Sequence, residues 1–226
     1  MLTVEPELLR AGLSVAVVVA RGVNNTHTPP TLTAYRRKVS GELAEHWKNR
    51  SLSALPVFEE YERLHRQFGV EGEPAAPEKL LRYVRRHADL AAAGAAVDCY
   101  NLVSIKTLLS IGAHDLTRFE APIALRRTSA ADTFIPLGES VPKSVAGEYA
   151  YVEPGGRVIC RLEVLQAEHS KVAATTRDIA FFLQGNAAQE GGQLLKGCWY
   201  LCELIETFCG GSAELVTYLD ARRRVP

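Results

Sequence analysis

Two groupings of side chains in this sequence have types and spacings suited to chemistry. Cys198 and Cys202 lie four residues apart, with Cys209 beyond them. On a helix that interval sets two thiols on one face, as a thiolate metal site requires. No histidine accompanies them, and without one they read as small core residues. The second grouping is basic: Arg36-Arg37-Lys38, and Arg82, Arg85 and Arg86, with Tyr35 and Tyr83 alongside. On helices these clusters are either solvated faces or a surface that contacts phosphate. Other chemistries lack an anchor. The sequence holds no glycine-rich phosphate loop, no His-Glu-x-x-His, no Cys-x-x-Cys and no Gly-x-Ser-x-Gly elbow. The glycine pairs Gly191-Gly192 and Gly210-Gly211 read as a turn and a helix end.

Composition bounds the rest. The 226 residues are 47% hydrophobic and 23% charged, the balance of a globular protein with a substantial core. Lys plus Arg is 26 and Asp plus Glu is 26. That balance argues against a generic nucleic-acid coat protein, which needs a large basic excess. A local excess exists in residues 35–87, with eleven basic against eight acidic side chains. No run of eighteen apolar residues predicts a membrane span, and the first residues lack the basic start of a secretory signal. Five cysteines are too few for a disulfide framework. The expectation is a reduced, cytoplasmic chain forming one domain over residues 1–226.

The elements that must position these groups follow from pattern. Residues 13–23 are β-branched and apolar, which predicts a central strand. Pro29-Pro30, Pro56 and Pro77 each stand where a helix can begin. The stripe Val57, Tyr61, Leu64 and Phe68 marks the second of these helices, and Leu80, Leu81 and Val84 the third. Asp98 is placed to cap a fourth helix, whose face carries Leu102, Ile105 and Leu109 and which Gly112 closes. Short strand-like runs follow at 123–127, 133–137, 148–152, 157–165 and 179–184. Residues 191–208 return to helix, and 214–219 read as a last strand. Segregated helices and strands argue an α+β fold. The expected core is a mixed, largely antiparallel sheet, packed by an N-terminal helical block and a long C-terminal helix.

Two segments carry a more specific likeness. One is Val97-Asp-Cys-Tyr-Asn-Leu-Val-Ser-Ile-Lys-Thr-Leu-Leu-Ser-Ile-Gly-Ala-His-Asp-Leu116. The other joins Ile123-Ala-Leu-Arg126, Phe134-Ile-Pro-Leu-Gly138 and Gly147-Glu-Tyr-Ala-Tyr-Val152. Together they resemble the stand-alone homologues of the tRNA-editing domain of the phenylalanyl-tRNA synthetase beta chain. The likeness runs from about Leu13 to Leu219. It implies hydrolysis, in trans, of the ester that joins a wrong amino acid to the 3′ end of a tRNA. Such a second site adds selectivity that binding alone does not reach. A synthetase catalytic core is not part of the pattern.

The resemblance also implies site residues. Asp98 and Asn101 match the Asp-x-x-Asn of the helix before the editing pocket. Glu168-His169-Ser170, with Val172 and Thr176, is similar to the segment whose glutamate lines that pocket. A carboxylate there would accept a hydrogen bond from a substrate hydroxyl. Gly112 stands where the synthetase carries a pocket histidine. His114, two residues on in the loop after the helix, could supply an imidazole from a different point. On this reading Glu168 or His114 orients or deprotonates a water, and Thr175 and Thr176 donate to the substrate. The Gly112-Ala113 backbone allows close approach, and Asn101 helps hold the ligand. Arg36, Arg37, Lys38, Arg82, Arg85 and Arg86 are the candidate RNA contacts. Ester hydrolysis of this kind needs no metal and no cofactor. The implied partner is the 3′ end of an aminoacyl-tRNA, with no membrane and no DNA, and the oligomeric state stays open. Two other readings are a binding module of the same fold without hydrolysis, and a hydrolase of small aminoacyl compounds.

Overall fold

The computed structural model describes residues 1–189 and 192–221. The chain opens with β1 (Leu2–Val4), α1 (Pro6–Arg10) and β2 (Ser14–Arg21). Four helices follow: α2 (Pro30–Trp47), α3 (Pro56–Gln67), α4 (Ala76–His87) and α5 (Ala95–Thr107). Then come β3 (Ser110–Asp115), β4 (Ile123–Arg127), β5 (Tyr149–Val152), β6 (Val158–Arg161), β7 (Leu165–Gln166) and β8 (Ile179–Gly185). The helix α6 (Gln193–Cys209) and the strand β9 (Ser212–Leu219) close the order. The fold is α+β. Proline starts α2, α3 and α4 as the sequence predicts, since its fixed φ suits a first turn whose N–H groups lack partners. The helix expected from residue 191 begins at Gln193, and Gly191 lies outside the described residues.

The strands sort into two sheets. The first, in the order β3-β8-β2-β9, is antiparallel throughout. The second, β1-β4-β5-β6-β7, is mixed, with only β1 and β4 parallel. Alternation along β2 shows how they stack. Ala16, Val18 and Ala20 join the core beneath α2 to α6, while Val15, Val17 and Val19 join a second core against Ile123, Tyr149, Tyr151 and Ile159. The result is three layers: helices, antiparallel sheet and mixed sheet. The run at 133–137 forms isolated bridges rather than a strand, because Pro136 cannot donate to a ladder.

The fourth helix departs most from its expected course. It ends at Thr107, where Leu108 takes a left-handed conformation (φ 59°) and the Ser104 hydroxyl donates to the Leu109 carbonyl. The chain then turns straight into β3, so Gly112 lies in mid-strand rather than at a helix end, and His114 lies in the strand rather than in a loop. Asp98 sits in the first turn, not at the cap, and accepts the Ala93 N–H at 2.9 Å.

A buried polar cluster ties the layers together. Glu163 is only 4% exposed. One carboxylate oxygen lies 2.7 Å from His65 Nε2 on α3. The other accepts from the Tyr149 hydroxyl on β5 and from the Gln184 amide on β8 at 3.1 Å. Burial lowers the pKa of His65, but the Glu163 carboxylate outweighs it and leaves the imidazole raised. Burial raises Glu163, but His65 and Tyr149 outweigh it and leave the carboxyl lowered. Below the ordinary histidine value of 6.5 and above the ordinary glutamate value of 4.5 the pair contributes its full stability. The histidine share is lost as pH rises through its folded pKa, and the glutamate share as pH falls through its own. Urea unfolding across pH 4 to 9 should therefore trace a dome, and His65→Gln should flatten its alkaline limb. An unchanged alkaline limb in the variant would locate the dependence elsewhere.

Candidate functional site

β3 is an edge strand, and all six of its residues are buried. Ile111 and Ala113 pack toward the helices. Ser110, Gly112 and His114 alternate to the opposite face, between the two sheets. There the His114 ring packs edge-on against Phe182 at 5.6 Å and Phe119 at 6.3 Å. His114 is fully buried. Its Nδ1 lies 2.8 Å from Ser170 Oγ, while Nε2 has no hydrogen-bond partner. The Ser110 hydroxyl, on the same face, is also buried and unpartnered. Buried polar groups without partners are few in folded proteins, because each costs about 1–3 kcal/mol. Two of them on one face of one strand mark this place as a candidate site.

Gly112 separates them. A Cβ at that position would lie 3.1 Å from Gln166 Nε2 and 3.6 Å from His114 Nε2. The glycine therefore serves space and not backbone conformation, since its φ is not in the left-handed region. Gln166, half-buried on β7, fills the room where the resemblance expects a histidine side chain. Sequence reasoning had no signal for Gln166, which reaches Gly112 only because the sheets stack. Strand alternation also places the backbone groups of Ile111 and Ala113 on the edge away from β8. The Asp115 N–H on that edge donates to the Ser170 carbonyl at 2.9 Å, whereas the Leu116 N–H turns to Asp178 on the other side.

Burial drives the His114 pKa down to about 3, with a second contribution from His169. The imidazole is therefore neutral near pH 7. It presents one donor and one acceptor, and its basicity is too low for it to take a proton readily. If Nδ1 donates to Ser170, Nε2 is left as an acceptor; if Ser170 donates, Nε2 carries the proton.

The other predicted residues are placed as follows. The Glu168 N–H donates to the Ile135 carbonyl at 3.0 Å, and its carboxylate accepts the Gly138 N–H at 2.9 Å and pairs with Lys171. Lys171 first, and then the Gly138 N–H, hold this carboxyl below its usual pKa. Glu168 makes no hydrogen bond to His114; Ser170, two residues on, is the member of that segment that does. Thr176 is buried, donating to Asp115 at 2.7 Å and accepting the Ala173 N–H at 3.0 Å, so its hydroxyl holds the loop rather than facing a ligand. Thr175 is exposed. Asn101 is half-buried on α5, which packs against the Ile111 and Ala113 face, opposite His114.

The basic clusters divide. Arg36 is 5% exposed, its guanidinium held by Asp98 at 2.7 Å and Asp89 at 3.2 Å. It cannot reach a phosphate, which corrects its expected role as an RNA contact. Arg37, Lys38, Arg82, Arg85 and Arg86 are exposed on α2 and α4, which pack against each other. Arg82 is paired with Glu78, and Arg85 donates to the carbonyls of Lys48 and Arg50. All five cysteines are free and buried, as core residues are, and no cluster of potential metal ligands occurs among the described residues. No helix among those residues is long and apolar enough to cross a membrane.

The B3/4 domain model matches residues 67–190, more than half of the chain, and the chain belongs to that family, a domain of the phenylalanyl-tRNA synthetase beta subunit. It is similar to the phenylalanine–tRNA ligase beta subunit of Pyrobaculum aerophilum, with 27% identity over 143 residues. That match covers 50% of this chain and 28% of the ligase subunit. A crystal structure of an N-terminal fragment of the phenylalanyl-tRNA synthetase beta-subunit from Pyrococcus horikoshii covers 94% of this chain at a TM-score of 0.50 and 10% identity. This chain spans 50% of that fragment, and at such identity the likeness shows the fold alone.

The buried Arg36–Asp98 pair yields a direct check on the basic residues. Asp98→Ala, which removes one of the two carboxylates on a buried guanidinium and the acceptor of the Ala93 N–H, should destabilise the protein by about 1.5–3 kcal/mol in urea unfolding. Arg37→Ala, on an exposed side chain, should cost less than about 0.5 kcal/mol. Equal costs would contradict the assignment of Arg36 to the core.

Proposed function

We propose that this chain is a cytoplasmic, trans-acting aminoacyl-tRNA deacylase, and that the inter-sheet face of β3 is where the ester is cleaved. The observation that carries the reading is the buried Nε2 of His114, which has no partner and faces the space over Gly112. Family membership supports the RNA side of it. The synthetase relatives are much longer than this chain, so their activity does not transfer by length alone.

An aminoacyl ester is already activated. Water adds to its carbonyl, the ester C–O bond breaks, and the 3′-terminal ribose oxygen leaves with a proton, giving a free amino acid and an uncharged tRNA. What remains for the protein is placing the water and stabilising the developing oxyanion. The low basicity of His114 favours orienting the water through Nε2 over removing its proton. Ser170 fixes the ring, and the Ser110 hydroxyl and the edge backbone at Ala113 are nearby polar groups. Glu168 is ionised but occupied by Gly138 and Lys171, which suits a residue that shapes the pocket wall. Exposed Arg37, Lys38, Arg85 and Arg86 offer a modest phosphate-binding surface for the body of the tRNA.

A second reading keeps the RNA-end pocket and drops the hydrolysis. Gly112, in place of the family's pocket histidine, and the occupied Glu168 carboxylate favour it.

Deacylation of a panel of matched and mismatched aminoacyl-tRNAs separates the two. The expected outcome is selective hydrolysis of one class, lowered about 10²-fold by His114→Ala with tRNA binding retained. Because His114 stays neutral, the pH–rate profile should show no inflection near 6.5. Retained tRNA binding with no turnover of any ester would move the assignment to the binding module.

A further inference from the structure

Gln166 is the half-exposed member of an otherwise buried polar group. Its backbone is fixed on both sides: it pairs with Cys160 of β6, and its carbonyl accepts the Leu137 N–H at 2.9 Å. The next residue, Ala167, donates to the Ile159 carbonyl at 2.8 Å. The strand therefore cannot shift, and only the side chain can move. That side chain ends over Gly112, where even a methyl group would come within 3.1 Å of the amide nitrogen. Behind it lie His114 Nε2 and, along the same strand face, Ser110 Oγ, both buried and unpartnered. Gln166 thus presents a half-buried carboxamide over the glycine that lies between these two unpartnered groups.

On the reading that an acyl group is bound at this face, we propose that Gln166 is a specificity-determining residue that restricts the site to aminoacyl groups with short, uncharged side chains. Two features give this selectivity. The carboxamide already fills the space over Gly112, where a single added carbon would lie 3.1 Å from its nitrogen, so the bulkier the acyl side chain, the further the carboxamide must swing out. The buried polar groups on this strand face, the Ser110 hydroxyl and the His114 ring bonded to the Ser170 hydroxyl, include no charged partner, and Glu168 is taken up by Lys171. A charged side chain would lose its hydration there without gaining a counter-ion. Gly112 and Gln166 share one volume, the first yielding what the second fills. Enlarging position 112 and shrinking position 166 should therefore compensate.

The test uses non-hydrolysable aminoacyl-adenosine analogues, with an amide in place of the ester at the 3′ position, carrying alanine, serine, tyrosine or lysine. Calorimetry on the full chain measures binding and so does not depend on turnover. The wild type is expected to bind the alanine and serine analogues at least tenfold more tightly than those of tyrosine and lysine. Gln166→Ala is expected to shift the alanine-to-tyrosine ratio by about tenfold toward tyrosine. Gly112→Ala should weaken all four analogues, and the double variant should regain affinity. A ratio unchanged by Gln166→Ala, or no binding of any analogue by folded protein, overturns the proposal. A shifted ratio in a protein that hydrolyses no ester would retain this inference while removing the deacylase reading. Thermal unfolding of each variant confirms that the compared chains are folded.

Discussion

The carboxylate of Glu163 is the constraint on which the layered arrangement depends. It is a charge taken almost wholly out of water, and such a group is tolerated only when its lone pairs are filled. The partners that fill them come from α3, β5 and β8, one from the helical layer and one from each sheet. Tyr151 extends the network by donating to Gln184 at 2.9 Å. Tyr61 donates to the Gln184 carbonyl at 2.7 Å and also accepts the Ser110 N–H at 3.3 Å. This last link joins the cluster to the start of β3. Sliding one sheet over the other would break the bonds of Gln184 to Glu163, Tyr149 and Tyr151 together, so the spacing between the sheets is set by chemistry as well as by apolar packing.

That fixed spacing gives meaning to the unpartnered groups a strand away. The Glu163 carboxylate has partners on both oxygens, while Ser110 Oγ and His114 Nε2, also buried between the sheets, have none. A core selected for stability alone would have filled or replaced them. Their persistence beside a glycine at which an amide nitrogen and an imidazole nitrogen converge is the structural basis for treating the face as a site. The edge position of β3 adds access, because an edge strand is approached from its side without opening a sheet.

Charge works differently on the helical side. The chain has no net charge, and three adjacent basic residues on α2 divide between two tasks. Arg36 is spent on Asp98 and Asp89, tying α2 to α5 and to the segment after α4. Arg37 and Lys38 remain at the surface. A helix turns 100° per residue, so neighbours in sequence cannot share a face, and at most part of such a run can meet a polyanion.

The sequence by itself determined the α+β class and most elements. Proline at helix starts and β-branched runs at 13–23 and 179–184 act locally, through backbone φ and side-chain shape, and need no tertiary context. The paired Pro-Leu-Gly and Gly-Glu motifs, with Val97 to Leu116, also carried the family likeness. The site was legible only in outline. His114 and Gly112 were singled out, but on a loop and at a helix end, because an apolar run at 109–113 suits helix or strand equally until β8 pairs with it. Thr176 and Arg36 read as functional and proved to be held in the structure. Gln166 left no trace, and Ser170 stood only as a neighbour of Glu168. Tertiary structure decided these points for a physical reason. His114 meets Ser170, 56 residues away, and Gly112 meets Gln166, only because two sheets are stacked and held in register. No periodicity within either strand encodes that juxtaposition.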